Sequence, residues 1–99
     1  MNIIEIKRKI NKNIHHIEKN FKIKEIGIFG SFTRGGSFIH EDSDIDVLVS
    51  FKKGYKDFFN YMRLKYYLED LLGKEVDLVI KDAVKPRLKD KIFSEVQYV

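Results

Sequence analysis

Apolar residues recur at steps of three and four along the first fifth of the chain. They are Ile3, Ile6, Ile10, Ile14, Ile17 and Phe21. With 3.6 residues per helical turn, this spacing places all of them on one side of a helix. The pattern therefore predicts one amphipathic helix that ends near Asn20.

Three later segments have the composition or the alternation of β-strands. Residues 22–29 are rich in Ile and Phe and stop at Gly30, and residues 75–80 form a second apolar run. Residues 44–51 alternate in the pattern of a strand, so they predict a strand with two different faces. One face would carry Ile45, Val47, Val49 and Phe51, and the other Asp44, Asp46, Leu48 and Ser50.

Boundary residues predict two more helices in the second half. Asp57 is a suitable N-cap for a helix that runs to Leu72, and Gly73 is a suitable stop. Pro86 suits the first turn of a last helix. Its apolar stripe would be Leu88, Ile92 and Val96, and the stripe of the Leu72 helix would be Phe58, Phe59, Met62, Tyr66 and Leu72.

The order of elements is helix, strand, short helix, strand, helix, strand and helix. This order predicts the α+β class, a two-layer α/β arrangement in which helices pack on a small mixed or antiparallel sheet. A length of 99 residues with no linker favours a single domain over residues 1–99.

Composition excludes several classes of protein. A hydrophobic fraction of 43% excludes a disordered chain, and the absence of cysteine excludes disulfides, thiolate catalysis and Cys-ligated metal. No apolar run approaches the roughly 20 residues of a membrane span, and lysines and arginines interrupt the N-terminus. We therefore expect a cytoplasmic protein with no membrane partner.

The net charge of +4 is distributed unevenly. Lysines and arginines concentrate towards both ends, and the acidic residues Glu41, Asp42, Asp44 and Asp46 lie between them. Solvated helix faces are the simpler interpretation of the basic ends, and attraction to a nucleic acid or an acidic partner is the alternative.

Asp44 and Asp46 are the first candidates for chemistry. Two positions apart on a strand, they point to the same side, where their charges repel unless a cation lies between them. Carboxylate oxygens suit Mg²⁺ or Mn²⁺ rather than zinc. Taken alone, the pair would be interpreted as a polar loop that ends before a strand.

Asp77 strengthens the case because it interrupts an apolar strand. It is flanked by Val76, Leu78 and Val79. An ionised carboxylate is costly to bury there, so the alternatives are an exposed edge or a functional site. If this strand neighbours the one that carries Asp44, the carboxylates converge into a site for in-line displacement at phosphorus.

Gly30 and Ser31 follow a strand and open the predicted short helix. Backbone N–H groups at such a turn bind phosphate, and glycine lets the phosphate approach closely. Arg34 lies one turn further on and can neutralise phosphate charge. Without the carboxylates, an ordinary turn would be the simpler interpretation.

Together these motifs resemble the polymerase-beta-like nucleotidyltransferase superfamily. The resemblance rests on the run from Gly30 to Gly35 followed by the run from Ser43 to Val49. The short chain and the phrase Val76–Val79 are similar to the minimal nucleotidyltransferase, or MNT, antitoxin family, and nearly the whole chain is covered. Thr33 departs from the small alanine common in the family, and bulky residues occupy the loop before Ser43.

The resemblance implies a metal-dependent enzyme that uses ATP. Asp44, Asp46 and Asp77 would be catalytic and would bind two Mg²⁺ ions, or Mn²⁺, while Gly30, Ser31, Arg34 and Ser43 would bind the nucleotide. A hydroxyl would attack the α-phosphate, and pyrophosphate would leave. The catalysis would consist largely of positioning and charge neutralisation.

The family also implies a partner. The MNT antitoxins that this chain resembles transfer AMP from ATP to a tyrosine of a HEPN-domain ribonuclease toxin, so a hetero-oligomer with such a toxin is expected. The alternatives are transfer to a small molecule or an RNA end, and a non-catalytic module that binds the toxin. Nucleic acid is not the favoured partner.

Overall fold

The structure, a computed structural model, describes residues 1–33 and 44–99. Within these ranges, one mixed sheet has the strand order β3-β2-β1-β4. The strands are β1 (Ile23–Phe29), β2 (Ile45–Phe51), β3 (Val76–Ile80) and β4 (Gln97–Tyr98). Strand β1 is antiparallel to β2 and β4, whereas β2 and β3 are parallel. The expected small mixed sheet with packed helices is confirmed.

The helices of the described ranges are α1 (Ile3–Lys12), α2 (Ile14–Phe21), α3 (Phe58–Leu72) and α4 (Pro86–Glu95). Short 3₁₀ turns occupy Gly30–Phe32 and Lys81–Ala83. The predicted short helix after the first strand is thus a 3₁₀ turn.

The prediction of one N-terminal helix is wrong, because the helix is interrupted at Asn13. The Asn13 side chain donates to the carbonyl of Lys9 at 2.9 Å, and its backbone N–H donates to Ile10 at 3.0 Å. Asparagine competes in this way with the regular helical hydrogen bonds. The apolar stripe continues across the interruption, since Ile6, Ile10 and Ile17 are all completely buried.

One face of the sheet packs against α1, α2 and α3 to form the larger hydrophobic core. Ile45, Val47, Val49 and Phe51 of β2 all point into it, as the alternation predicted. Helix α3 contributes Leu64, Leu68 and Leu72, which are at most 1% exposed. We call this the covered face.

The opposite face of the sheet has a much smaller hydrophobic cluster. Phe29, Leu48 and Val84 are buried there, with the partly buried Val79, Ile92 and Val96 packed against them. The last two residues come from α4 and the position after it. We call this the α4 face.

Helix α3 begins and ends as predicted, but it buries different residues. The Asp57 side chain accepts from the Asn60 backbone N–H at 2.9 Å, and Gly73 ends the helix at φ 69°. The predicted stripe is wrong in part, because Phe58, Phe59 and Tyr66 are 70%, 79% and 57% exposed. The buried side is Asn60, Leu64, Leu68 and Leu72.

Strand β4 has no counterpart in the sequence prediction. It pairs with β1 opposite Gly27 and Ile28. Gly27 leaves the room for it, since a Cβ there would lie 2.7 Å from Val96 Cγ2. Among the described residues, no helix is long and apolar enough to cross a membrane.

Candidate active site

Asp46 and Asp77 are direct neighbours on the α4 face of the sheet. They are register partners in the parallel pair of β2 and β3, and Phe29 of β1 is the antiparallel partner of Asp46. Paired residues point to the same side of a sheet, and adjacent strands lie about 4.8 Å apart. The fold therefore brings together two carboxylates separated by 31 positions in the sequence. We call Asp46 and Asp77, which lie beside Phe29, the carboxylate row.

Asp44 lies just before β2 and is exposed. The backbone N–H of Ile45 donates to the carbonyl of Glu75 at 3.0 Å, which fixes the beginning of β2 against the approach to β3. Asp44 is thus at the end of the sheet where the carboxylate row lies. Asp77 is also exposed and Asp46 is half-buried, so solvent reaches the site.

Gly30 lies against the Asp46 carboxylate. Its φ of 78° is in the left-handed region that favours glycine. A Cβ at this position would lie 2.9 Å from Asp46 Cγ and closer still to a carboxylate oxygen. Backbone and carboxylate therefore approach each other only because residue 30 has no side chain.

Of the remaining predicted nucleotide-binding residues, the structure locates Ser31 but not Arg34 or Ser43. Ser31 is the second residue of the 3₁₀ turn that Gly30 opens. Thr33 follows it, and its hydroxyl donates to the Gly30 carbonyl at 2.8 Å, which closes the turn. Arg34 and Ser43 lie outside the described residues.

The strand that carries Asp77 is anchored to α3 by Glu69. This carboxylate accepts from the Val76 backbone N–H at 3.0 Å and from Lys65 Nζ at 2.8 Å. The Lys65 hydrogen bond, followed by the Val76 N–H, lowers the pKa of Glu69 below its ordinary value. The same ion pair raises the pKa of Lys65.

A pocket of about 340 Å³ opens beside Asp77 on the α4 face. Phe29 and Val79 form its sheet side, and Leu88 and Ile92 form its helix side. Sequence reasoning predicted the helix stripe but not the pocket, because α4 has no pattern that reveals which strands it covers.

Lys85 and Arg87 also line this pocket, and sequence reasoning did not single them out as site residues. They precede and follow Pro86 at the start of α4. The available signal was the accumulation of basic residues towards the C-terminus, which does not distinguish a site from a solvated helix face.

The carboxylate row by itself supplies only some of the ligands that a metal ion needs. Across residues 1–33 and 44–99, no three acidic or histidine side chains form a group ready to hold a metal ion. Mg²⁺ typically takes one or two protein carboxylates and completes its shell with water and substrate phosphates. Asp46 and Asp77 suit that kind of site, in which the nucleotide supplies the other ligands.

The sequence matches the family described as the nucleotidyltransferase domain over residues 7–99. It is 46% identical over 95 residues to a protein of Methanocaldococcus jannaschii that is provisionally named a protein adenylyltransferase. That match covers 96% of this chain and 95% of the relative.

Two solved structures have a similar fold. One, provisionally described as a minimal nucleotidyltransferase, superposes with a TM-score of 0.81 at 31% identity and covers 98% of this chain and 95% of its own. The other is a toxin–antitoxin crystal structure with AMP-PNP. Its TM-score is 0.71 at 28% identity, and the match covers 89% of this chain and 69% of that one.

Proposed function

This chain belongs to the nucleotidyltransferase domain family, and from that premise we propose that it transfers AMP from ATP to a tyrosine of a toxin protein. Its class as a nucleotidyltransferase, predicted from the motifs, is confirmed. The acceptor, the metal and the site residues are the proposed part. The observation that carries them is the pairing of Asp46 with Asp77 beside Gly30.

In the proposed site, Asp44, Asp46 and Asp77 hold divalent metal, which is two Mg²⁺ ions by family resemblance. When bound, the metal supplies positive charge for the phosphates and lowers the pKa of the attacking hydroxyl. Asp46 and Asp77 repel each other as neighbouring anions, so a cation between them is favourable.

Gly30 and Ser31 bind the terminal phosphates through the backbone of the 3₁₀ turn. The left-handed φ of Gly30 and its contact with Asp46 support this role, since the turn brings the backbone close to the carboxylates. Arg34 and Ser43 are proposed as further nucleotide ligands on the motif alone.

The reaction is an in-line displacement. The tyrosine oxygen attacks the α-phosphorus and its proton passes to solvent, while the bond to the bridging oxygen breaks and pyrophosphate leaves with the electron pair. The protein contributes chiefly by orienting the two reactants and by presenting charge, which is the main source of catalysis in phosphoryl transfer.

The partner is proposed to be a toxin of the HEPN class. The relative named as a protein adenylyltransferase supports a protein acceptor, and the toxin–antitoxin structure with AMP-PNP supports both a toxin partner and an adenine nucleotide. A lasting complex with that toxin would make the protein a subunit of a hetero-oligomer.

The test is incubation with ATP labelled at the α-phosphate, Mg²⁺ and a HEPN-domain toxin from the same genome. Labelled AMP on a tyrosine of that protein is expected with wild type and is expected to be lost with Asp77→Asn. The matched control is Asp82→Asn, which removes an exposed carboxylate outside the carboxylate row. Neutralisation of the toxin without AMP transfer would contradict the proposal and indicate a binding module.

A further inference from the structure

The pocket beside Asp77 has largely apolar walls. Its walls include Phe29 and Val79 on the sheet and Leu88 and Ile92 on α4. Leu88 is 40% exposed although it faces the pocket, so an apolar surface is open to solvent here. A volume of about 340 Å³ is at the small end of ligand pockets, and suits an aromatic side chain with part of its flanking chain.

The charges at this pocket are of two kinds. Asp77 is the one carboxylate among the described lining residues, and Lys85 and Arg87 are the two cations. Both cations are exposed, and neither forms an ion pair with another residue of the ranges 1–33 and 44–99. Apart from this one carboxylate and the two exposed cations, the lining side chains are apolar.

We infer that this pocket binds the acceptor, as a tyrosine side chain carried on an acidic protein segment. The inference rests on the proposed function and adds the place and the charge of the acceptor. The phenol ring lies between Phe29, Val79 and Leu88, and its hydroxyl donates to the Asp77 carboxylate. Acidic residues that flank the tyrosine pair with Lys85 and Arg87.

The position of the pocket favours the acceptor over the nucleotide. In an in-line displacement, the attacking oxygen and the leaving pyrophosphate lie on opposite sides of the α-phosphorus. Gly30, the proposed phosphate-binding position, follows β1 and contacts Asp46. Asp77 lies on the next strand, β3, away from Gly30, so the attacking hydroxyl belongs on its side.

The chemistry of the lining favours the acceptor too. An adenine ring presents several hydrogen-bonding atoms and no negative charge, whereas the described side chains of the pocket are apolar except for Asp77 and the two cations. A phenol needs only one hydrogen-bond partner. Lys85 and Arg87 match an acidic segment, and their pairing with the triphosphate of ATP instead would appear as a raised KM for ATP in their variants.

In the transfer step, the tyrosine oxygen forms a bond to the α-phosphorus as the bond to the β-phosphate oxygen breaks. Pyrophosphate leaves with the bonding electrons, and the hydroxyl proton is released to solvent. No oxidant or reductant is required. Lys85 and Arg87 are binding residues in this scheme, because they hold the acceptor without touching the reacting atoms.

Two peptides test the inference. Each has one tyrosine, flanked on both sides by glutamates in one peptide and by lysines in the other, and the donor is ATP labelled at its α-phosphate. With wild type, the acidic peptide is expected to be labelled roughly fivefold faster at low concentration. The double variant Lys85→Gln, Arg87→Gln should raise the KM for the acidic peptide roughly tenfold and change the KM for ATP by less than about twofold.

The matched control is Lys89→Gln, Lys91→Gln. It removes the same charge from exposed positions of the same helix that do not line the pocket. This control is expected to leave both KM values within about twofold of wild type. A general loss of positive field would instead lower acceptor binding equally in both double variants, and would overturn the inference.

The remaining outcomes separate this inference from the proposed function. Equal labelling of the two peptides would overturn the inference and leave the proposed function standing. The same conclusion would follow if neither peptide were labelled while the partner protein was. A rise in the KM for ATP in place of the acceptor KM would assign the pocket to the nucleotide. Labelling of an RNA end in place of either peptide would also overturn it. If wild type transfers AMP to nothing, both fail together.

Discussion

The covered face and the α4 face of the sheet differ in what their side chains do. On the covered face, Ile45, Val47 and Val49 of β2 are at most 1% exposed beneath three helices. On the other face, the same strand carries Asp46, and a single helix covers a small cluster and leaves a pocket open. One strand therefore contributes alternate residues to stability and to the site, a division that its period of two allows. Substitutions on the two faces should consequently affect different measurements.

The largest effect is expected for Asp46→Asn on the α4 face. Loss of its charge should reduce AMP transfer about 10³-fold, because it removes a proposed metal ligand that contacts Gly30 of the proposed phosphate-binding turn. The free energy of unfolding should change by no more than about 1 kcal/mol, since one of two adjacent anions is removed. Initial rates with labelled ATP and urea denaturation check the two halves. If the loss of stability accounted for the whole loss of activity, the assignment of Asp46 to the site and not to stability would be wrong.

The reverse pattern is expected for Leu68→Ala on the covered face. Leu68 is completely buried, so truncation should lower the free energy of unfolding by about 3 kcal/mol. The kcat should stay near wild type at a temperature where the variant is folded. Its counterpart is Leu88→Ala in the pocket, which should lower stability by less than about 1.5 kcal/mol because Leu88 is partly exposed. Urea denaturation and steady-state kinetics on both variants would show whether the faces separate these effects.

An intermediate effect on both measurements is expected for Gly30→Ala. The left-handed backbone strains an alanine by about 1–2 kcal/mol, and its Cβ also overlaps the Asp46 carboxylate. Displacement of that carboxylate should reduce transfer by about 10²-fold. Gly54→Ala is the matched control, because Gly54 has φ 90° with no atom within 4 Å of a Cβ. The control should have the same strain and wild-type activity. Equal activity in the two variants would contradict the role of the Gly30 contact.

The smallest effect is expected for Glu69→Gln. Glu69 connects helix α3 on the covered face to the strand that carries Asp77. Loss of a charge-assisted hydrogen bond should lower the free energy of unfolding by about 1 kcal/mol at neutral pH. Because the pKa of Glu69 is lowered in the folded protein, its contribution is complete above the ordinary value of 4.5 and is lost as pH falls through the folded pKa. The gap between wild type and variant should therefore close in acid. Denaturation from pH 7 to pH 3 measures it, and Glu75→Gln, an exposed neighbour, is expected to give no such gap.

The elements with local signals could be predicted from the sequence. Asp57 and Gly73 are recognisable at the ends of α3 because capping depends on the residues at the cap itself. The two faces of β2 followed from its alternation, and the proximity of Asp46 to Asp77 followed once the two strands were assumed to be neighbours.

Other features depend on tertiary contacts that no local pattern contains. The interruption at Asn13 was hidden because the isoleucines keep helical spacing across it. Buried Asn60 donates to the carbonyl of Phe21 at 2.7 Å and to that of Tyr55 at 2.9 Å, so a polar residue occupies the side that Phe58 and Phe59 were expected to fill. The pocket could not be predicted because it depends on where α4 lies on the sheet, a position that Gly27 and strand β4 help to determine.

The measurement that tests the central claim most directly is the uptake of Mn²⁺ in the presence of a non-hydrolysable ATP analogue, followed by the electron paramagnetic resonance of the free ion. If the carboxylate row holds the catalytic metal, wild type should bind Mn²⁺ beyond what the nucleotide binds alone. Asp46→Asn and Asp77→Asn should each weaken this binding at least about tenfold, and Asp82→Asn should match wild type. Equal uptake by wild type, Asp46→Asn and Asp77→Asn would contradict the assignment of the α4 face as the site of nucleotidyl transfer.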